Sequence, residues 1–137
     1  MEDKKIILTP FREALASLEL ALQEPTDDVN DVRKQMFKDS IIQRFEYTYE
    51  LAWKMIKRCL EHETQESVDD IGRRDLFRRA FEFGWIENPE TWFAYQEARN
   101  LTSHAYDRKI AQGVFDVIGP FAVDAKQLLE ILEQKYA

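Results

Sequence analysis

Four scarcities narrow what this chain can be. It has a single cysteine, Cys59, among 137 residues. No intramolecular disulfide can form, and the usage suits a reducing compartment, with the cytoplasm the expected location. Glycine and proline number four each, too few for the many turns of a β-rich fold. No run of 18 apolar residues occurs, and no apolar stretch follows a basic start. Neither a membrane span nor a signal peptide is therefore expected. Positive charge is also short: 19 Lys and Arg against 26 Asp and Glu leave a net charge of −7. A surface of that sign repels a phosphate backbone, so any RNA contact must be local or helped by a partner.

What is present reads as helix. Apolar residues at 45% and charged residues at 33% suit a globular chain and are too apolar for a disordered one. A length of 137 residues predicts one domain, 1–137, able to build its core without staples. Thr9-Pro10 has the form of an N-cap followed by proline in the first turn. Phe11, Leu15, Leu18 and Leu22 then repeat at helical spacing. A second helix is predicted from about Asn30 to about His62, with Phe37, Ile41, Phe45, Thr48, Ala52, Met55 and Cys59 on one face. Tyr49, Trp53, Ile56 and Leu60 widen that face, which predicts burial on two sides, the second a subunit interface. A short third helix is expected from about Ile71 to Phe83, stopped by Gly84. Asn88-Pro89 opens a fourth, with Trp92, Phe93, Ala94 and Ala98 inward. The last covers about Asp107 to Gln134, buries Val114, Val117, Ile118, Phe121, Leu128 and Leu132, and should kink at Gly119-Pro120. The fold class expected is all-α, an up-and-down antiparallel bundle of four to five helices.

The segment that carries chemistry is Arg99-Asn100-Leu101-Thr102-Ser103-His104-Ala105-Tyr106. Arginine offers phosphate a fixed charge and a bidentate fork. Histidine moves protons near neutral pH. With no metal-ligand cluster nearby, the pair points to phosphodiester chemistry without metal or other cofactor. Residues five apart lie about 140° apart around an α-helix, so Arg99 and His104 do not share a face, whereas Asn100 and His104 do. Three arrangements would reconcile Arg99 with His104: a helix that ends near His104, an Arg99 side chain folded across, or a second subunit that completes the site. Asp107-Arg108-Lys109 suggests a turn and a fresh helix start, which favours an ending there.

Arg99 to His104 fits the R-x4-6-H signature of HEPN domains, and Ala105-Tyr106 extends it to R-x4-H-x-Y. The segment thereby resembles the HepT-type proteins encoded beside minimal nucleotidyltransferases. The Arg44-Phe45-Glu46-Tyr47-Thr48-Tyr49-Glu50-Leu51-Ala52-Trp53-Lys54 run is similar to the second-helix signature of nucleotidyltransferase substrate-binding subunits. The resemblance implies a homodimeric bundle whose two motifs line one cleft. It assigns Arg99, Asn100 and His104 to metal-independent RNA cleavage and makes Tyr106 the acceptor of AMP from a nucleotidyltransferase antitoxin. The alternative it implies is a non-catalytic subunit that holds the substrate for a two-component nucleotidyltransferase.

Other residues read as structure. Tyr106 could also pack under the bundle. Glu46, Glu50, Trp53 and Lys57 share a helical face, read as a solvated flank in preference to a cleft floor or partner surface. Arg73, Arg74, Arg78 and Arg79 form the one dense basic cluster. It is read as a solvated face with Asp70–Arg74 and Asp75–Arg79 pairs at i,i+4, and as the best candidate for extra RNA or partner contact. His62 is expected at the surface and Cys59 in the core.

Overall fold

A computed structural model describes residues 6–137. Five helices and one 3-10 turn follow in order: α1 Thr9–Gln23, α2 Asp31–Thr64, α3 Arg73–Glu82, α4 Pro89–Leu101, the 3-10 turn Thr102–His104, and α5 Arg108–Tyr136. No strand occurs among the described residues. The up-and-down bundle is built on α2, which at 34 residues is about 50 Å long. α1 packs on α2 and α5, and the α3–α4 pair closes the other side of those two helices.

Helix ends follow from local chemistry. The Asn30 side chain accepts from the Arg33 backbone N–H at the start of α2. Asn88 accepts from the Glu90 N–H at the start of α4, with Pro89 in the first turn. Asp107 accepts from the Lys109 and Ile110 N–H groups at the start of α5. Each cap satisfies donors that have no intrahelical partner. α1 departs from expectation: Leu8 is its capping residue, Thr9 is already helical, and no side chain caps it. The buried Leu8 fixes the entry of the chain instead, and its carbonyl accepts the Arg12 N–H at 3.0 Å. At the end of α3, Gly84 takes φ +80°. The Trp85 N–H reaches the Ala80 carbonyl and the Gly84 N–H the Phe81 carbonyl, each at 2.9 Å. This reciprocal pair closes the helix and turns Trp85 into the core. α5 runs as one helix from Arg108 to Tyr136 through Pro120.

The buried apolar side chains form one contiguous cluster fed by all five helices. At its centre Phe121 meets Phe45, Tyr95 and Trp92 edge to face, with ring centroids 5.0, 5.2 and 5.8 Å apart. Cys59 is fully buried and burial pushes its thiol up to about 12. On α4, Ala94 is exposed while Tyr95 is buried. The expectation that Ala94 faces inward is thus corrected. Trp92, Tyr95 and Ala98, each three apart, set the inward stripe and rotate Ala94 out. The Tyr95 hydroxyl donates to Asp124 of α5, which satisfies it inside the bundle. His62 is half-buried, its ring edge-on to Tyr136 at 5.5 Å. Phe121→Ala is expected to lower unfolding stability by about 3–5 kcal/mol, the cost of a large cavity in a close-packed core. A urea midpoint unchanged from that of the parent would contradict this packing.

Candidate functional site

Arg99 is in the last turn of α4 and points its guanidinium at α2. Its Nε lies 3.3 Å from Glu50 Oε1 and its Nη1 3.6 Å from Glu46 Oε2. Nη1 also donates to the Thr102 hydroxyl at 3.1 Å, and that hydroxyl donates to the Arg99 carbonyl at 2.7 Å. Trp53 Nε1 donates to the other Glu50 oxygen at 2.9 Å, which fixes the carboxylate. Arg99 Nε is buried without a hydrogen bond. Its contact with Glu50 is electrostatic and off the line a hydrogen bond needs. The Arg99 side chain is 30% exposed.

Glu46 and Glu50, expected as a solvated flank, therefore form the wall against which Arg99 rests. Sequence spacing put them on one face of α2 but said nothing of which helix would cover it. Lys57, on the same face, pairs with Asp69 at 2.5 Å and has no part in this wall. Thr102 was missed altogether. Its signal was available: a hydroxyl three residues after an arginine at a helix end can bond back to that residue's carbonyl.

The helix does end before His104. α4 stops at Leu101 and the 3-10 turn carries Thr102 to His104. That break does not bring the predicted residues together. Asn100 and His104 are exposed. Among the described residues no hydrogen bond or ion pair joins the Arg99, Asn100 and His104 side chains to one another. Of the three arrangements the sequence left open, an early helix end is present, but by itself it joins nothing.

Tyr106 is 85% exposed. It does not pack under the bundle. Its ring meets His104 edge to face at 6.1 Å. It also lines an open groove of about 830 Å³ between the first half of α2 and the start of α5, with Met36, Arg108 and Phe115. Val32 and Met36 on the α2 side of that groove are exposed.

A second set of cations lies on α3. Arg73 lies 3.6 Å over the Trp53 ring and donates to the Tyr49 hydroxyl at 3.1 Å. Burial raises the Tyr49 pKa, opposed by the Arg73 hydrogen bond and by the charges of Arg73 and Arg99. One hydroxyl therefore feels both arginines. Arg74 and Arg78 lie 4.8 and 5.2 Å from the Phe93 ring centre. The expected i,i+4 pairing is corrected here: Asp75 pairs with Arg78 at 2.6 Å, and no ion pair forms between Asp70 and Arg74 or between Asp75 and Arg79. Aromatic faces supplied by α2 and α4 hold Arg73, Arg74 and Arg78. Among the described residues no group of three or more His, Cys, Asp or Glu side chains is placed to hold a metal ion. No described helix is long and apolar enough to cross a membrane.

Comparison with known proteins agrees with this architecture. Residues 7–134 match the family model described as nucleotidyltransferase substrate binding protein like. A Haemophilus influenzae protein named "Probable ribonuclease HepT" is 36% identical over 143 aligned positions, covering 98% of this chain and 97% of the relative. A solved Haemophilus influenzae structure, described as revealing the fold of a substrate binding domain of a nucleotidyltransferase, superposes with a TM-score of 0.85. It is 34% identical and covers 93% of this chain and 100% of its own. A Thermus thermophilus structure superposes at 0.73 with 29% identity over 89% of this chain and 98% of its own. By its whole-length family match and these relatives, the chain belongs to the nucleotidyltransferase substrate-binding, HepT-like family of helical bundles.

Proposed function

We propose that this protein is a HEPN-type toxin, a metal-independent endoribonuclease neutralised by a minimal nucleotidyltransferase partner. The observation that carries the reading is the division of the R-x4-H-x-Y segment. Arg99 is clamped in a fixed pose by Glu46, Glu50 and Thr102, while His104 and Tyr106 stand exposed at the turn that follows. Substrate can reach those two side chains, and the cation of the same motif is already oriented.

In this reading His104 takes the proton of an RNA 2′-OH. The 2′ oxygen then bonds to the adjacent phosphorus and the 5′ oxygen leaves, so the product ends in a 2′,3′-cyclic phosphate. Arg99 stabilises the extra negative charge on the phosphorane-like transition state. Asn100 orients the phosphate. The leaving 5′ oxygen needs a proton, and His104 of the partner subunit is suited to give it. Because one chain leaves Arg99 and His104 unjoined, a second copy is the arrangement that completes the site. The exposed Val32 and Met36 in the open groove supply apolar surface for it. Light scattering at micromolar concentration should give twice the chain mass of 16.3 kDa. A monomer there would count against a shared cleft.

The second reading is a non-catalytic subunit that presents substrate to a nucleotidyltransferase. It is favoured by the two carboxylates that already neutralise Arg99 and by the description of the solved relative. The deciding experiment is incubation of the purified protein with single-stranded RNA in excess EDTA. Cyclic-phosphate ends support the toxin, and intact RNA supports the binding subunit.

A further inference from the structure

α3 concentrates four arginines, Arg73, Arg74, Arg78 and Arg79, in a chain of net charge −7. Arg74, Arg78 and Phe81 follow one another four and three residues apart, so they share one helical face. Phe81 is 48% exposed on that face. We propose that this face of α3 is a lane for single-stranded RNA that leads to Arg99. The lane deepens the ribonuclease reading and rests on it for its purpose, although binding can be measured without cleavage.

Three observations carry it. First, the cations are available. Among the described residues Arg73, Arg74 and Arg79 form no ion pair with a carboxylate. Arg78 pairs with Asp75, but the two side chains are 53% and 65% exposed, and such a pair in water competes weakly with phosphate. Second, the guanidiniums are oriented. Arg73 is stacked on Trp53, and Arg74 and Arg78 flank Phe93. A stacked guanidinium keeps its N–H edge for a phosphate and its free plane for a base, and exposed Phe81 adds an aromatic face for another. Third, the lane runs into the site. Arg73 rests on Trp53, Trp53 donates to Glu50, and Glu50 meets Arg99, each step at 3.6 Å or less. The net charge of −7 opposes binding of a polyanion by the surface as a whole.

The test is fluorescence anisotropy with a labelled, 2′-O-methylated RNA of about a dozen nucleotides, which lacks the attacking hydroxyl and cannot be cut. Arg74→Ala/Arg78→Ala is expected to raise Kd at least about tenfold. It should also flatten the slope of log affinity against log salt by about 1 to 1.5, the loss of two phosphate contacts on a single strand. Phe81→Ala should weaken binding several-fold with the slope unchanged. A charge-matched control, Lys126→Ala/Lys135→Ala on α5, should bind as the parent does. No binding by the parent, an unaltered Kd in the α3 variant, or equal losses in the control would overturn the lane. So would loss of nucleotidyltransferase binding by the α3 variant with RNA affinity unchanged, which would assign the stripe to that protein. If the methylated RNA binds as described while natural RNA stays intact, the ribonuclease reading fails and the lane stands. If natural RNA is cut while the α3 variant binds normally, the lane fails and the ribonuclease reading stands.

Discussion

His104→Ala is expected to lower RNA cleavage at least about a hundredfold, the scale on which enzymes lose a positioned acid or base. The side chain is exposed on the 3-10 turn and makes no hydrogen bond among the described residues. Its removal should leave the thermal midpoint unchanged, so lost activity cannot be put down to lost fold. Arg99→Ala is expected to reach a similar loss of rate by another route. It removes the cation that meets the transition-state charge, and it leaves Glu46 and Glu50 facing the site unopposed. The second effect adds repulsion of the RNA phosphate, so KM should rise as well as kcat fall. Arg99→Lys separates the two. A lysine keeps a positive charge against the carboxylates but loses the planar fork, so it should recover KM more than kcat. Undiminished cleavage by His104→Ala, or cleavage abolished by EDTA in the parent, would sink the mechanism.

The largest regulatory effect is expected at Tyr106. With ATP and the cognate nucleotidyltransferase, the Tyr106 hydroxyl should attack the α-phosphorus of ATP and lose its proton to the partner's base. Pyrophosphate leaves, and AMP remains attached to the tyrosine oxygen. An exposure of 85% makes that oxygen accessible without local unfolding. The attached phosphate places a bulky anion next to His104, whose ring meets Tyr106 at 6.1 Å. It blocks the approach of RNA and offers the neighbouring cations a phosphate of their own. Cleavage should fall to background while intact mass rises by one AMP per modified chain. Tyr106→Phe lacks the acceptor oxygen, so it should stay unmodified and active in the presence of the partner. Unchanged mass after incubation with the partner and ATP would remove this control mechanism, and so would full inhibition of Tyr106→Phe.

The site was legible in part. Local chemistry announced that the chain would break between Arg99 and Arg108, because Asp107 is a strong capping residue and its two backbone partners are its own near neighbours. It did not announce where the Arg99 side chain would go. Glu46 and Glu50 are far from Arg99 along the chain, and they looked solvated because nothing within α2 covers them. Arg74, Arg78 and Arg79 of α3 are exposed, as a solvated face requires, but their ion pairing differs from the i,i+4 expectation for the same reason. Asp70 and Arg74 are near neighbours in sequence, yet the Phe93 ring arrives from α4 and takes the Arg74 guanidinium, while Asp75 pairs with Arg78 in place of Arg79.

The sequence by itself determined the elements and the core. Helical periodicity placed Phe11, Leu15, Leu18, Phe45, Ile56, Ile118, Phe121 and Leu132 inside, and all are buried. Cap residues and proline located the starts of α4 and α5, because a helix end is settled by hydrogen bonds within a few residues. The motif from Arg99 to Tyr106 was equally visible, being a matter of residue identity at fixed spacing. Only the tertiary structure decided what each polar side chain faces. It set Arg99 against two carboxylates, left His104 and Tyr106 in the open, and stacked Arg73 on Trp53. Those choices depend on which helix packs beside which and at what rotation. They are won by small differences between competing partners for the same charge, none of which is written in local spacing.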